Sequence, residues 1–170
     1  MLIDIAKQQL RKAGWYEGRK IDLTKYEEAY AKIGCEMFPA ARKFLEEFGD
    51  LKICDKIEFP YIKEGVSYNE SSTQWPICVG RRDLELEKRV DELYGQKILR
   101  VGALEYCEIY IYISEDGRFF VNWYFDGLWA ENSDQLWNEY YGEEYGRATW
   151  NDLKAGKGRT MFKKEIEKYL

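Results

Sequence analysis

With 170 residues, 31 acidic against 26 basic side chains, a net charge of −5 and a pI near 5.1, the chain has room for one hydrophobic core, and its mean field repels nucleic acid and anionic lipid while favouring basic partners. It contains no histidine, which excludes Ser-His and Cys-His nucleophiles and most metal sites, and Cys35, Cys54, Cys78 and Cys107 lack the Cys-x-x-Cys spacing of a thiolate metal site. Cys54 and Cys107, within apolar runs, therefore read as small buried hydrophobes in a reducing compartment. The absence of any 18-residue apolar run, or of an export signal in "MLIDIAKQQLRKAG", predicts a cytoplasmic protein with no membrane contact, no metal and no cofactor.

Leu2, Ile5, Ala6, Leu10 and Ala13 recur at helical spacing and Gly14 stops them, so a first amphipathic helix is predicted with Trp15 just past its end. Thr24 followed by Glu27 has the pattern of a capping box ahead of Tyr26, Ala29, Tyr30 and Ile33, which predicts a second helix to about Gly34. Pro39 fits the first turn of a third, whose Ala41, Phe44, Leu45 and Phe48 share one face before Gly49 caps it. From Leu51 the period changes. "LKICDKIEF" and "PYIKEGVSY" alternate as strands do, and 69–75, "NESSTQW", reads as a loop. Leu84, Leu86, Val90 and Leu93 predict a helix ended by Gly95, and "KILRVGAL" a strand after it.

The strongest strand signal is "CEIYIYIS", 107–114, followed by "EDG" and "RFFVNWYF", 118–125. A two-residue Asp116-Gly117 turn would pair Ile111 with Asn122 and mix the faces. A three-residue loop of Glu115, Asp116 and Gly117, with Gly117 at positive φ, instead pairs Ile113 with Phe119, Ile111 with Val121 and Ile109 with Trp123. That register makes one face wholly apolar and gathers Glu108, Tyr110, Tyr112, Phe120, Asn122 and Tyr124 on the other, which either binds something or is covered by a helix or by the 64–75 loop. Asp126, Gly127, Leu128 and Trp129 predict a further turn and short strand, and Ser133 caps a helix carrying Leu136, Trp137 and Tyr140. Residues 1–141 are expected to be the domain, and 142–170 a polar C-terminal extension ending in a short helix, "TMFKKEIEKYL".

Catalysis finds little support. Acidic neighbours such as Glu46-Glu47, Glu115-Asp116 and Glu143-Glu144 are expected by chance among so many carboxylates, and neither "VGRRDL" nor "EDGRF" has phosphate-loop spacing. Six Trp and fourteen Tyr, each a ring with a polar handle, are of the kind enriched at recognition surfaces, although most of the aromatics are expected to fill an aromatic-rich core. An aromatic platform beside carboxylates and an asparagine also suits a carbohydrate-binding module or glycosidase, which is the alternative reading.

The succession "AGW", "GR", "FLEEFGDL", "LYGQKILRVG" and "IYISEDGRFF" resembles the third family of the SUKH superfamily, immunity proteins of bacterial polymorphic toxin systems, over roughly residues 7–141. The resemblance implies an α+β fold, N-terminal helices packed on a mixed, largely antiparallel sheet. It makes Gly14, Trp15, Arg19, Gly49 and Gly117 fold-signature positions, with Trp15 packing a helix end and Arg19 anchoring it. Asp50 stands where the family commonly has a second glycine. The implied function is non-enzymatic sequestration of a cognate toxin, a basic nuclease-type or deaminase-type domain, with an intracellular adaptor of the same superfamily as a further alternative. On this reading the toxin meets Glu108, Tyr110, Tyr112, Asn122 and Tyr124, with Asp126 and Trp129 at the adjoining turn, and neither nucleic acid nor membrane is a direct partner.

Overall fold

In a computed structural model, residues 1–54, 70–73, 82–104, 109–122 and 127–141 are described. Helical periodicity sorts the first three helices cleanly. α1 (Asp4–Lys12) buries Ala6 and Leu10, α2 (Thr24–Lys32) buries Tyr26 and Tyr30, and α3 (Pro39–Phe48) buries Ala41, Phe44, Leu45 and Phe48, each set spaced to lie on one face. The strands β1 (Lys52–Cys54), β2 (Glu70–Ser72), β3 (Ile98–Leu104), β4 (Ile109–Ser114), β5 (Phe119–Asn122) and β6 (Gly127–Ala130) form one sheet in chain order, every described pair antiparallel. α4 (Leu84–Tyr94) precedes β3 and α5 (Ser133–Tyr141) follows β6. The protein is an α+β fold.

Two hydrophobic clusters lie on opposite faces of the sheet. The larger joins α1, α2, α3 and α5 to Ile109, Ile111, Ile113, Phe119 and Val121; the smaller joins Leu86 and Val90 of α4 to Ile98, Tyr112 and Phe120. The hairpin register follows the burial argument, with Ile113 opposite Phe119, Ile111 opposite Val121, and Gly117 at φ 88° closing the three-residue loop. A bulge at Val101 does comparable work on β3. Arg100 pairs with Tyr112 and Gly102 with Ile111, so the extra residue resets parity and lets Leu99, Val101 and Leu104 all enter the larger core.

Large rings fill that core. Phe44 lies 5.0 Å from Phe119 and 6.3 Å from Trp137, and Phe48 lies 5.6 Å from Trp137. Such spacings let ring edges meet ring faces and add to area burial.

Three local expectations are corrected. The 69–75 segment, read as a loop, contains β2, paired with β1 and touching β3 through Ser72 opposite Ala103; a ladder satisfies backbone groups even where side chains have weak strand preference. The Thr24–Glu27 capping box does not form. Asp22 accepts from the Thr24 backbone N–H (3.0 Å) and hydroxyl (2.7 Å), which holds its carboxyl below the usual range, while Glu27 pairs with Arg42 of α3. At the start of α5, Asn132 replaces Ser133 as the cap, accepting from Gln135 N at 2.9 Å. Gly49 caps α3 as expected, its N–H bonded to Leu45 O, while the left-handed conformation falls to the next residue, Asp50, at φ 54°. Gly49 is needed for space, since a Cβ there would stand 2.4 Å from the Leu45 carbonyl oxygen and 2.9 Å from Ile21 Cδ1.

Candidate binding surface

The end of α3 shows what the stretch 14–21 does locally. The last four carbonyls of a helix lack intrahelical partners. Here Leu45 O accepts from Gly49 N (2.8 Å), Glu46 O from Ile21 N (3.0 Å), Glu47 O from Arg19 Nη1 (2.8 Å) and Phe48 O from the Thr73 hydroxyl. The Arg19 charge also lies at the negative end of the helix dipole. Trp15, 4% exposed, stacks parallel to Phe48 at 6.1 Å and donates its Nε1–H to Glu47 Oε1 at 3.2 Å. The next knot ties α2 to β1. The Tyr26 hydroxyl donates to the Thr73 carbonyl (2.6 Å) and accepts from Asp50 N (2.8 Å), while Thr73 Oγ1 accepts from Leu51 N (3.0 Å). Trp15, Arg19 and Gly49 thus surround one helix terminus, while Gly14, at φ 100°, ends α1 and Gly117 shapes the hairpin tip.

The face expected to meet a partner is largely covered. Asp83 caps α4 by accepting from Leu86 N at 3.0 Å, Gly95 ends it at φ 62°, and the helix lays Leu86 and Val90 over Ile98, Tyr112 and Phe120. Tyr112 is 3% exposed and Phe120 1%. Burial pushes the Tyr112 hydroxyl pKa well above its usual value, Asp83 adds to the effect, and Arg100 opposes it. Trp129, also 3% exposed, belongs to the larger core, because β6 sets Leu128 opposite Phe120 and sends the next residue to the other side. Placing Tyr112 and Trp129 on an open contact face is therefore corrected. Strict alternation shows that two faces differ, and a strand covered on both sides alternates just as well.

Tyr110 remains half-buried, with the Arg100 guanidinium 4.3 Å from its ring centre and Asn122 across from it in the ladder. Glu108, Tyr124 and Asp126 lie outside the described residues, as do the strand readings over 55–69 and the 142–170 extension.

A different concavity comes from parts that are distant in sequence. A groove of about 840 Å³ separates the 33–38 turn, which joins α2 to α3, from α4 and the start of β3. Cys35, Met37, Phe38 and Ile98 give it apolar lining, and the Cys35 thiol is pushed up by desolvation. Glu36, Asp91, Glu115 and Lys97 are its exposed charged residues, together with Arg82 and Lys88, which form ion pairs with Glu87 and Glu92. Across the hairpin tip a hollow of about 270 Å³ is lined by Phe44, Phe119, Glu47, Asp116 and Glu131, with Asp116 held below the usual carboxyl range by Arg118. Sequence reasoning missed both, since their walls come from three or four separate stretches. The one available signal was Cys35, set among Gly34, Glu36 and Met37 outside any helical face.

Chemically, this surface offers hydrogen-bond acceptors, negative charge and apolar contact. Among the described residues, no three His, Cys, Asp or Glu side chains converge as they would around a metal ion. Compared with known proteins, residues 4–141 match the sequence model of the SUKH-3 immunity protein family. No curated protein and no solved structure matches the chain.

Proposed function

Because the chain belongs to the SUKH-3 immunity protein family, we propose that it neutralises a cognate toxin of a bacterial polymorphic toxin system by sequestration, forming a stoichiometric complex without catalysis. The observation that carries this reading is the extent of the match, which runs from the first residue of α1 to the last of α5 and so takes in every described element. The toxin is a basic domain of nuclease or deaminase type. Enzymes that grip phosphates carry positive fields, and a chain at −5 is steered toward them. The sugar-binding alternative loses support, because Tyr112 and Trp129 are enclosed and offer no stacking platform. Among the described residues no helix is long and apolar enough to cross a membrane.

Co-expression with the toxin domain encoded beside its gene tests the proposal. Growth should be rescued and the two proteins should purify together in equal amounts. Absence of both rescue and complex with the adjacent toxin refutes it. A standard interface of ~1,600 Å² reaching nanomolar affinity, about −12 kcal/mol, is enough for a stoichiometric antidote.

A further inference from the structure

We propose that the groove between the 33–38 turn and α4 is the point at which the toxin docks, receiving a lysine- or arginine-bearing loop; this rests on the immunity reading above. Shape is the first reason. At about 840 Å³ the groove falls in the range that takes a drug-sized ligand or a short chain segment, and it combines an apolar lining with an exposed charged margin, as protein interfaces do.

The second reason is the charge left after internal pairing. Glu87 pairs with Arg82 and Glu92 with Lys88, so those cations are already matched. Glu36 and Asp91 have no ion-pair partner among the described residues, and Glu115 accepts only a backbone N–H, that of Lys97 at 3.0 Å. Three carboxylates therefore face one lysine, Lys97, and the groove favours a cationic visitor.

Apolar exposure supplies the third. Leu84, at the first position of α4, lines the groove and is 65% exposed. A leucine so open beside carboxylates suits the aliphatic stem of an arginine or lysine whose head reaches the acids. The walls are also held in place. Glu115 N donates to Lys97 O (3.2 Å) and Asp116 N to Gln96 Oε1 (3.1 Å), and α4 is capped at both ends, so little ordering cost falls on this side of the interface.

The double variant Glu36→Lys with Asp91→Lys tests the placement against the catalytically inactivated toxin domain encoded beside the gene. Calorimetry should show binding weakened at least ~100-fold, with a shallower salt dependence, while the thermal melt stays at the wild-type value. Hydrogen exchange of the wild-type complex should show protection at 34–38 and 84–91. Wild-type protein that fails to bind the toxin overturns the immunity reading itself. Wild-type protein that binds, with unchanged affinity in the variant or protection confined elsewhere, overturns only the groove. Should the double variant melt early, Leu84→Lys, which removes the apolar contact and repels the same cation, takes its place with the same expected loss. A self-associating wild type whose dimer the variant abolishes would assign the groove to a second copy and also overturn the docking proposal.

Discussion

Replacing Tyr112 by alanine separates a core tyrosine from an interface anchor. Its ring is 3% exposed and packs with Leu86, Val90, Ile98 and Phe120, so truncation leaves a void beneath α4. Aromatic-to-alanine changes in cores cost ~3–5 kcal/mol from lost transfer energy plus the cavity; the hydroxyl, which already carries a desolvation cost, argues for the lower half, about 3–4 kcal/mol. For a chain of this length each kcal/mol lowers the melting temperature by roughly 2–4 °C, so a drop of about 10 °C is expected. The assay is a thermal melt by near-ultraviolet circular dichroism, with a urea titration whose slope should match wild type if both states keep their compactness. Toxin affinity measured well below the variant's melting point should change by less than about threefold, because the ring touches α4 rather than a partner. A melt unchanged from wild type, together with an affinity loss of about 30-fold or more, would refute this reasoning and restore Tyr112 as a surface anchor.

Other consequences are checkable in the same preparations. Alkaline unfolding should depend on Tyr112: its folded-state pKa lies above the ordinary value of 10, so its contribution is complete below about pH 10 and is lost as pH rises through the folded value. Tyr112→Phe, compared by urea titration at pH 8 and above 10, should flatten that loss, and an identical pH profile would count against burial. Tyr26→Phe removes a donor to Thr73 O and an acceptor for Asp50 N, but Asp50 N keeps a 3.2 Å bond to Thr73 O, so about 1–2 kcal/mol should be lost in chemical denaturation. Gly49→Ala forces a Cβ against the Leu45 carbonyl and should destabilise by about 2–3 kcal/mol; a neutral result would mean that α3 ends differently.

What was legible in the sequence, and what was not, divides by the range of the interaction. Ile109, Ile111 and Ile113 opposite Phe119 and Val121 could be read from residues within one hairpin, because a slip of one residue moves every side chain to the wrong face. The helices α1, α2, α3 and α4 were legible from their apolar stripes for the same reason. Contacts across the chain were not. Nothing near Glu70–Ser72 announces a strand, since its status comes from β1 and from Ala103. Nothing near Phe48 announces that Arg19, Ile21 and Thr73 will satisfy the end of α3. The candidate site failed on the same ground: period-2 alternation in β4 is local, whereas the identity of what lies on each face is decided by α4, contributed by residues 84–94.

The covered face and the proposed groove have one cause. A sheet clad by α1, α2, α3 and α5 on one side and by α4 on the other leaves little aromatic surface for a partner over its described middle, so the proposed docking point lies where the layers fail to meet. At the hairpin end, α3 and α4 lie on opposite sides of the sheet, and Glu115 to Gly117 project between the two hollows. Gly117 permits the tight tip, Arg118 neutralises Asp116, and Glu115 is left to present charge beside Glu36 and Asp91. The hairpin tip holds Glu115, the 33–38 turn Glu36 and α4 Asp91, and the Trp and Tyr side chains that the structure encloses contribute through stiffness. Charge reversals at Glu36 and Asp91 should consequently change partner affinity and leave folding untouched, whereas substitutions at Tyr112, Trp129 or Trp137 should do the opposite.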